Sequence, residues 1–277
     1  MGYSDVVETA RSYYNSDDAH TFYSELWGGE DLHLGIYNDP KEPIFDASRR
    51  TIDRMASYAK KIDGDTRLID LGGGFSGSAR YLAGKFGCKV TVVNLSEVEN
   101  QRGRRMNKEQ NLDHLIEVVD GSYDKLPFKD GEFDIVWSQD ALLHSDDPAK
   151  VMQEAARVLK PGGEMIFTDP MKMDDCPNDD IKPILKRINL SAMSSPDTYK
   201  ELAAQNGLRL ENFEELTDHL TRHYSRVLEV TEEEEDRIRG RISQEYIDNM
   251  KTGLQHWIDG GKNGKLTWGI FHFVKES

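Results

Sequence analysis

Between Arg67 and Asp169, short apolar runs rich in branched residues alternate with helical stretches, and no other feature of the chain limits its fold as strongly. The runs are Arg67 to Leu71, Lys89 to Leu95, Leu115 to Val119, Phe133 to Ser138 and Glu164 to Asp169. Between them, Ser78 to Phe86 places Ala79, Leu82, Ala83 and Phe86 at helical spacing, and Pro148 to Leu159 does the same with Val151, Met152, Ala155 and Leu159. Strands alternating with helices predict a parallel sheet covered on both faces, with ligands bound beyond the strand carboxyl ends. Pro161, Gly162 and Gly163 read as the turn that ends the last of these helices.

After Asp169 the rhythm changes. Helices are predicted over Ile181 to Met193 and Asp197 to Asn206, then a strand over Leu208 to Leu216, a polar helical region from Thr217 to Gly261, and a final strand over Leu266 to Val274. The last two strands are expected to form the antiparallel edge of a seven-stranded, mostly parallel sheet, with the helical stretches capping its active-site end. The region up to Tyr58 is helical and unusually aromatic, and is expected to fold over the same crevice. The expected division is a lid over 1–58, a ligand-binding core over 59–170, and cap helices with the last two strands over 171–277.

Composition narrows the function. Fifty acidic against thirty-five basic residues give a net charge of -15, which repels polyanions and argues against nucleic acid and acidic membrane surfaces as partners. A small-molecule substrate is expected. No run approaches the roughly 20 apolar residues that span a bilayer, and Met1 to Ala10 has no basic flank followed by an apolar run, so a cytoplasmic location is expected. Cys88 and Cys176 stand in no metal-ligand spacing and read as ordinary thiols, so no metal is expected. The acidic excess suits a salt-accumulating, halophilic cell as well as an ordinary acidic cytosolic enzyme.

The segment Arg67-Leu-Ile-Asp-Leu-Gly-Gly-Gly-Phe-Ser-Gly77 places Asp70 at a strand end, followed by Gly72, Gly74 and Gly77. Dinucleotide sites share such spacing, but a carboxylate at Asp70 opposes a pyrophosphate and suits the amino acid portion of S-adenosylmethionine. Asp120-Gly121-Ser122 follows the third strand, then Asp124-Lys-Leu-Pro-Phe128 and Phe133-Asp-Ile-Val-Trp-Ser-Gln-Asp140. This order resembles the class I methyltransferase family from its first strand to its fifth, a Rossmann-like α/β fold. The resemblance implies that Gly72 and Gly74 line the methionine and ribose, that Asp120 with Gly121 and Ser122 meets the adenine, and that Gln139 lies beside the cofactor. One departure stands out: where that family usually carries an acid for the ribose hydroxyls, this chain has Asn94 and Leu95, which predicts a grip without charge assistance.

Methyl transfer from a sulfonium is an in-line displacement that needs an unprotonated nucleophile in a dry pocket. Aromatic faces attract the sulfonium, a base helps the nucleophile, and donors anchor an acceptor carboxylate. The stretch from Tyr13 and Tyr14 through Phe22, Tyr23, Trp27, His33 and Tyr37 supplies rings, with Gly28, Gly29 and Gly35 where a lid can bend; core packing is the alternative for each ring. His144, just beyond the fourth strand, is the best-placed base, with an ordinary pKa near 6.5; the alternative is a cap on the next helix or a bond to a lid tyrosine.

The strings Phe22 to Tyr37, Trp137-Ser-Gln-Asp140, Phe167-Thr-Asp-Pro-Met171 and His223-Tyr-Ser-Arg-Val-Leu228, with Trp257 and Trp268-Gly-Ile270, are similar to the dimethylglycine N-methyltransferases, including the sarcosine/dimethylglycine enzymes of betaine synthesis. The resemblance spans nearly the whole chain and implies stepwise N-methylation to glycine betaine, an osmolyte, with S-adenosylhomocysteine as the second product. The expected roles are Tyr23 and His144 in catalysis, Trp27, His33, Tyr37 and Asp70 on the cofactor, and Tyr23, Trp27, Asp140, His144, Arg187, Arg222 and Tyr224 around the acceptor. Arg226 is a further anchor candidate, with a surface ion pair as the alternative for each arginine. Thr231-Glu-Glu-Glu-Glu-Asp236 reads as a solvated helix start. Other acceptors, such as phosphoethanolamine, a tocopherol or a sterol, stay open, as does a noncatalytic cofactor-binding protein.

Overall fold

The computed structural model describes residues 15–188 and 190–276, so Tyr13 and Tyr14 lie outside the described residues. Its seven strands are β1 (Arg67–Leu71), β2 (Lys89–Asn94), β3 (Ile116–Asp120), β4 (Phe133–Gln139), β5 (Leu159–Lys172), β6 (Leu208–Glu215) and β7 (Leu266–Lys275), in the order β3-β2-β1-β4-β5-β7-β6. Neighbours from β3 to β5 pair in parallel, and β7 runs antiparallel to both β5 and β6. The last two strands thus form the expected antiparallel edge of a mostly parallel sheet, with β7, reversed against both neighbours, on the inside and β6 outermost. Burial explains the order. β7 is buried along nearly its whole length, whereas β6 carries Arg209, Glu211, Glu214 and Glu215, charges that suit a solvent-facing edge.

The helices are α1 (Asp17–Phe22), which continues into a π turn (Tyr23–Trp27), α2 (Ile44–Ala56), α3 (Gly77–Phe86), α4 (Glu97–Glu109), α5 (Pro148–Val158), α6 (Lys182–Arg187), α7 (Pro196–Gln205), α8 (Thr217–Glu233), α9 (Glu235–Ile238) and α10 (Gln244–Lys262). Ser16, Ser96, Asp147, Ser195 and Ser243 each accept a backbone N–H from the first turn they precede, which fixes where these helices begin.

Three local expectations are corrected. Pro161 to Gly163 form a bulge inside β5, with the register against β4 shifting between Phe133 and Ile135, because Leu159 already pairs with Phe133. The helix expected over Ile181 to Met193 ends at Arg187; the Leu190 amide closes onto the Leu185 carbonyl at 2.9 Å, and the Ser194 carbonyl accepts from the Lys172 amide at 3.1 Å, drawing the segment toward β5. Thr231 to Glu233 close α8 rather than open a helix: Thr231 is fully buried and its hydroxyl donates to the Val227 carbonyl at 2.7 Å. The rest of the run is the helix start expected, since Glu235 and Asp236 occupy the first turn of α9, and its acids also meet cations, Glu233 with Arg226, Glu234 with Arg237 and Glu235 with Lys251.

One apolar cluster packs on each face of the sheet, around Ile52, Leu82 and Trp137 on one side and Met152, Phe167 and Tyr199 on the other. A third cluster joins Phe22, Trp27 and Leu34 to Ile184, Leu220, Trp257 and Trp268, so the N-terminal segment and the C-terminal helices share a core above the strand ends. Among the described residues, no helix is long and apolar enough to cross a membrane, and no group of three or more His, Cys, Asp or Glu side chains is arranged to hold a metal ion.

Candidate active site

β1 delivers Asp70 and Leu71 to the sheet's carboxyl edge, where Gly72 turns at a φ of +75° and its amide donates to the Val93 carbonyl at 2.8 Å. A side chain at Gly72 would overlap Ala141, and one at Gly77 would overlap the Asp31 carboxylate and the Glu30 carbonyl. The glycines therefore let the segment around Glu30 and Asp31 lie directly on the N-terminus of α3. The lining of the resulting pocket includes Glu30, Asp31, His33, Asp70, Gly72, Gly74, Asn94, Leu95, Glu99, Gln139, Asp140 and His144. Five of its lining side chains are carboxylates, and none is a lysine or arginine.

Burial governs the electrostatics. It raises Asp70 to about 7, helped by the nearby Asp31, and one Asp70 carboxylate oxygen has no hydrogen-bond partner among the described residues. Burial raises Asp31 to about 6 despite Arg49, whose Nε lies 2.8 Å from the carboxylate. Asp140 is pushed up by burial, with His33 opposing; its carboxylate accepts from the Leu34 amide at 2.6 Å and from Trp268 Nε1 at 2.7 Å. Asp140 therefore ties the N-terminal segment to β7. Its φ of +53° is a left-handed conformation, which aspartate tolerates better than most residues.

Of the residues singled out from the sequence, His33, Asp70, Gly72, Gly74, Asn94, Leu95, Gln139, Asp140 and His144 meet in this pocket. Asp120, Gly121 and Ser122 are not in its lining: the Asp120 carboxylate accepts from Asn100 at 2.7 Å and pairs with Arg104 at 2.8 Å, both on α4. Glu99 is the residue the sequence reading missed. It is fully buried, raised to about 7 by that burial, and accepts from Asn94 Nδ2 at 3.0 Å. The first turn of α4 thus brings a carboxyl beside Asn94, where the end of β2 lacks one. The Ser96-Glu-Val-Glu99 spacing is that of a capping box, and it hid the acid as a helix-start signal.

His144 ends a single 3-10 turn (Leu142–His144), and burial alone pushes its pKa down to about 4. That corrects the expectation of a histidine near 6.5: the ring stays neutral and is too weak a base to take a proton from a free ammonium.

Tyr23, Trp27, Tyr37 and Tyr224 lie outside the pocket lining, in an aromatic vault beneath the cap. Trp27 sits 5.1 Å from Tyr23, 5.3 Å from His223 and 6.0 Å from Tyr224 between ring centroids, and Tyr224 stacks on Trp257 at 5.0 Å. The Tyr37 hydroxyl bonds His223 Nδ1 at 3.1 Å, so Tyr37 braces the vault. The arginines differ. Arg226 faces Glu229 at 3.2 Å and Glu233 at 3.6 Å, and Arg222 reaches the Tyr37 carbonyl at 3.4 Å. Arg187 has no carboxylate partner among the described residues; it lies 2.7 Å from Met250 Sδ and flat against α10, where a side chain at Gly253 would come within 2.5 Å of its Cζ.

Residues 69–167 match a family described as a methyltransferase domain. The sarcosine/dimethylglycine N-methyltransferase of Halorhodospira halochloris is 54% identical over 98% of this chain and 97% of its own length. The chain belongs to the sarcosine/dimethylglycine N-methyltransferase family. The enzyme of that description from Aphanothece halophytica is 48% identical over 98% of both chains. The crystal structure of a putative sarcosine dimethylglycine methyltransferase from Galdieria sulphuraria superposes with a TM-score of 0.91 at 42% identity, covering 95% of this chain and 99% of that one. The pocket fits the methyl donor such a family would use. S-adenosylmethionine carries an ammonium and a sulfonium, which suit a ring of carboxylates with an unpartnered oxygen on Asp70, whereas a pyrophosphate would find no cation here.

Proposed function

We propose that the protein methylates the nitrogen of dimethylglycine, and of sarcosine before it, to make glycine betaine as an osmolyte, with S-adenosylmethionine as donor and S-adenosylhomocysteine as the other product. The observation that carries this reading is the carboxylate-lined pocket, with no lysine or arginine in its lining, packed against the cluster that holds the aromatic vault; Arg187, without a carboxylate partner among the described residues, lies against Met250 of that same cluster. The first suits a donor with cationic groups, and the second suits an amino acid acceptor.

When bound, S-adenosylmethionine supplies an electrophilic methyl group on sulfur. Asp70 takes its ammonium, Asn94 and Glu99 accept from the ribose hydroxyls, and Gly72 and Gly74 leave room for its backbone-hugging chain. Arg187 receives the acceptor carboxylate. Tyr23, Trp27 and Tyr224 exclude water and stabilise the nitrogen as it becomes positive. The amine sheds its proton to solvent before the lid closes, which leaves the nitrogen lone pair free to face the methyl group, and His144, neutral in its buried setting, can bond the acceptor nitrogen only where an N–H remains, as in sarcosine. In this reading residues 1–58 are the lid, 59–170 the cofactor core and 171–277 the cap, in a cytoplasmic enzyme.

The test is incubation of purified protein with methyl-labelled S-adenosylmethionine and, separately, glycine, sarcosine, dimethylglycine and phosphoethanolamine, at low and molar salt. Labelled betaine from dimethylglycine is the expected result. Transfer only to phosphoethanolamine, or to none of the four, would overturn the acceptor assignment.

A further inference from the structure

Two histidines one helical turn apart on α8 hold the lid by the same atom. His223 Nδ1 accepts the Gly35 amide at 3.1 Å, and His219 Nδ1 accepts the Tyr37 amide at 3.1 Å. A backbone amide only donates, so each Nδ1 must carry a lone pair and each ring must be the neutral Nε2–H tautomer. The Tyr37 hydroxyl shares His223 Nδ1 at 3.1 Å. These two bonds and that of the Leu34 amide to Asp140 fix the backbone directly after Asp31, Leu32 and His33, which stand in the pocket wall.

We propose that His219 and His223 form a proton-sensitive clasp: as neutral Nδ1 acceptors they hold the backbone of residues 35–37, and through it the adjoining residues 30–33 in the wall of the cofactor pocket, and protonation of either ring releases that backbone. They are positioning residues, since they act through the lid. The chemistry is one of sign. A proton on Nδ1 would face an amide hydrogen, turning a hydrogen bond into a repulsion.

The surroundings favour the neutral rings. His223 is fully buried among the rings of Trp27, Tyr37 and Tyr224, with His33 within electrostatic reach, and burial pushes it down to about 3. His219, half-buried, is lowered by burial and by Arg222, with Arg50 from α2 in the same direction, against Asp218 on its own helix and Glu214 from β6. Arg226 and Glu42 act on the neighbouring Tyr37 hydroxyl. Because closure depresses both histidines, the closed lid is fully supported above the free-histidine value near 6.5 and loses support as pH falls, by at most about tenfold per pH unit for each ring. Asp31 and Asp70 also gain protons over this range and would weaken cofactor binding by themselves, so the decisive comparison is between variants at one pH.

The clasp borrows from the proposed function only the identity of the pocket's ligand. Its test is amide hydrogen exchange at Gly35 and Tyr37, corrected for the intrinsic rate, between pH 7.5 and about 5.5, with S-adenosylhomocysteine affinity measured alongside. Wild-type protection should fall steeply toward the acid end. His219→Asn and His223→Asn, whose amide oxygen replaces Nδ1 without titrating, should stay protected there, whereas His219→Leu should lose protection and several-fold of affinity even at pH 7.5. If wild-type protection does not change with pH, or if the Asn variants behave like His219→Leu, the clasp is wrong. Imidazole nitrogen shifts of the wild-type protein give a reading that no variant's folding can spoil: Nδ1–H on either ring would also overturn it. None of these readouts uses an acceptor, so failure of the clasp and failure of the dimethylglycine assignment are separate results.

Discussion

The cofactor pocket and the aromatic vault lie side by side but are built in opposite ways. The pocket draws on strand ends and turns of one continuous stretch, Asp70 to His144, with a short lid segment laid over it, and its character is carboxylate. The vault gathers Tyr23 and Trp27 from the N-terminal segment, Tyr224 from α8 and Trp257 from α10, and its character is aromatic, with Arg187 from α6 packed on Met250 of the same cluster. A site made from contiguous chain can be recognised by spacing, whereas a site made from distant segments exists only once they pack. In the proposed function the contrast also separates the two ligands, with the acids assigned to the donor side and Arg187 to the acceptor side.

That separation can be broken experimentally. The largest effect is expected for Asp70→Asn, which removes the carboxylate proposed for the donor's ammonium; a charge-assisted bond worth about 3 kcal/mol corresponds to a loss of roughly a hundredfold or more in S-adenosylhomocysteine affinity by calorimetry. The same change should raise the melting temperature of the ligand-free protein. Asp70 is an acid whose folded value is raised, so its charge costs stability once pH climbs above its unfolded value, most fully above about 7, and relief comes on acidification. Lower affinity together with lower stability would contradict this account of Asp70.

Next is Arg187→Met, predicted to raise the dimethylglycine KM by roughly thirtyfold, about 2 kcal/mol, while leaving cofactor affinity unchanged. A matching loss on the donor side would dissolve the division between the two sites. Glu99→Gln follows, at about tenfold weaker cofactor binding at pH 8. Because burial raises Glu99 to about 7, the wild-type carboxyl is itself protonated below that value, and the two proteins should converge near pH 6. A constant ratio across pH would show that Glu99 acts only as a cap for α4. Least affected should be Arg237→Gln, which removes exposed ion pairs with Glu234 and Glu25 and should alter stability by less than about 1 kcal/mol in a melting experiment.

The parallel core was readable because branched runs and helical spacing repeat from Arg67 to Asp169, and five strands appear there within a few residues of expectation, apart from the early start of β5. The place of β7 was not, since an apolar run reports burial on both faces and says nothing about which strands flank it. In the pocket, Asp70, Gly72, Gly74, Gln139 and His144 were legible from the turn and strand-end motifs. Glu99 was hidden by its second identity in a capping box, and the partners of Asp120, Asn100 and Arg104 on the helix beside it, were not legible from the strand-end motif. His144 was found by position but not by protonation, because burial is a property of the packed cap.

The interior position of β7 also has a consequence for how the molecule is made. The strand slots between β5 and β6 and brings Trp268 to Asp140, so its docking completes both the sheet edge and the seat of the N-terminal segment. Without residues 266–275 in place, β6 has no neighbour to pair with, and Asp140 lacks one of its two donors. A chain whose β7 has not docked therefore carries every acid of the pocket but lacks part of what holds the N-terminal segment over them.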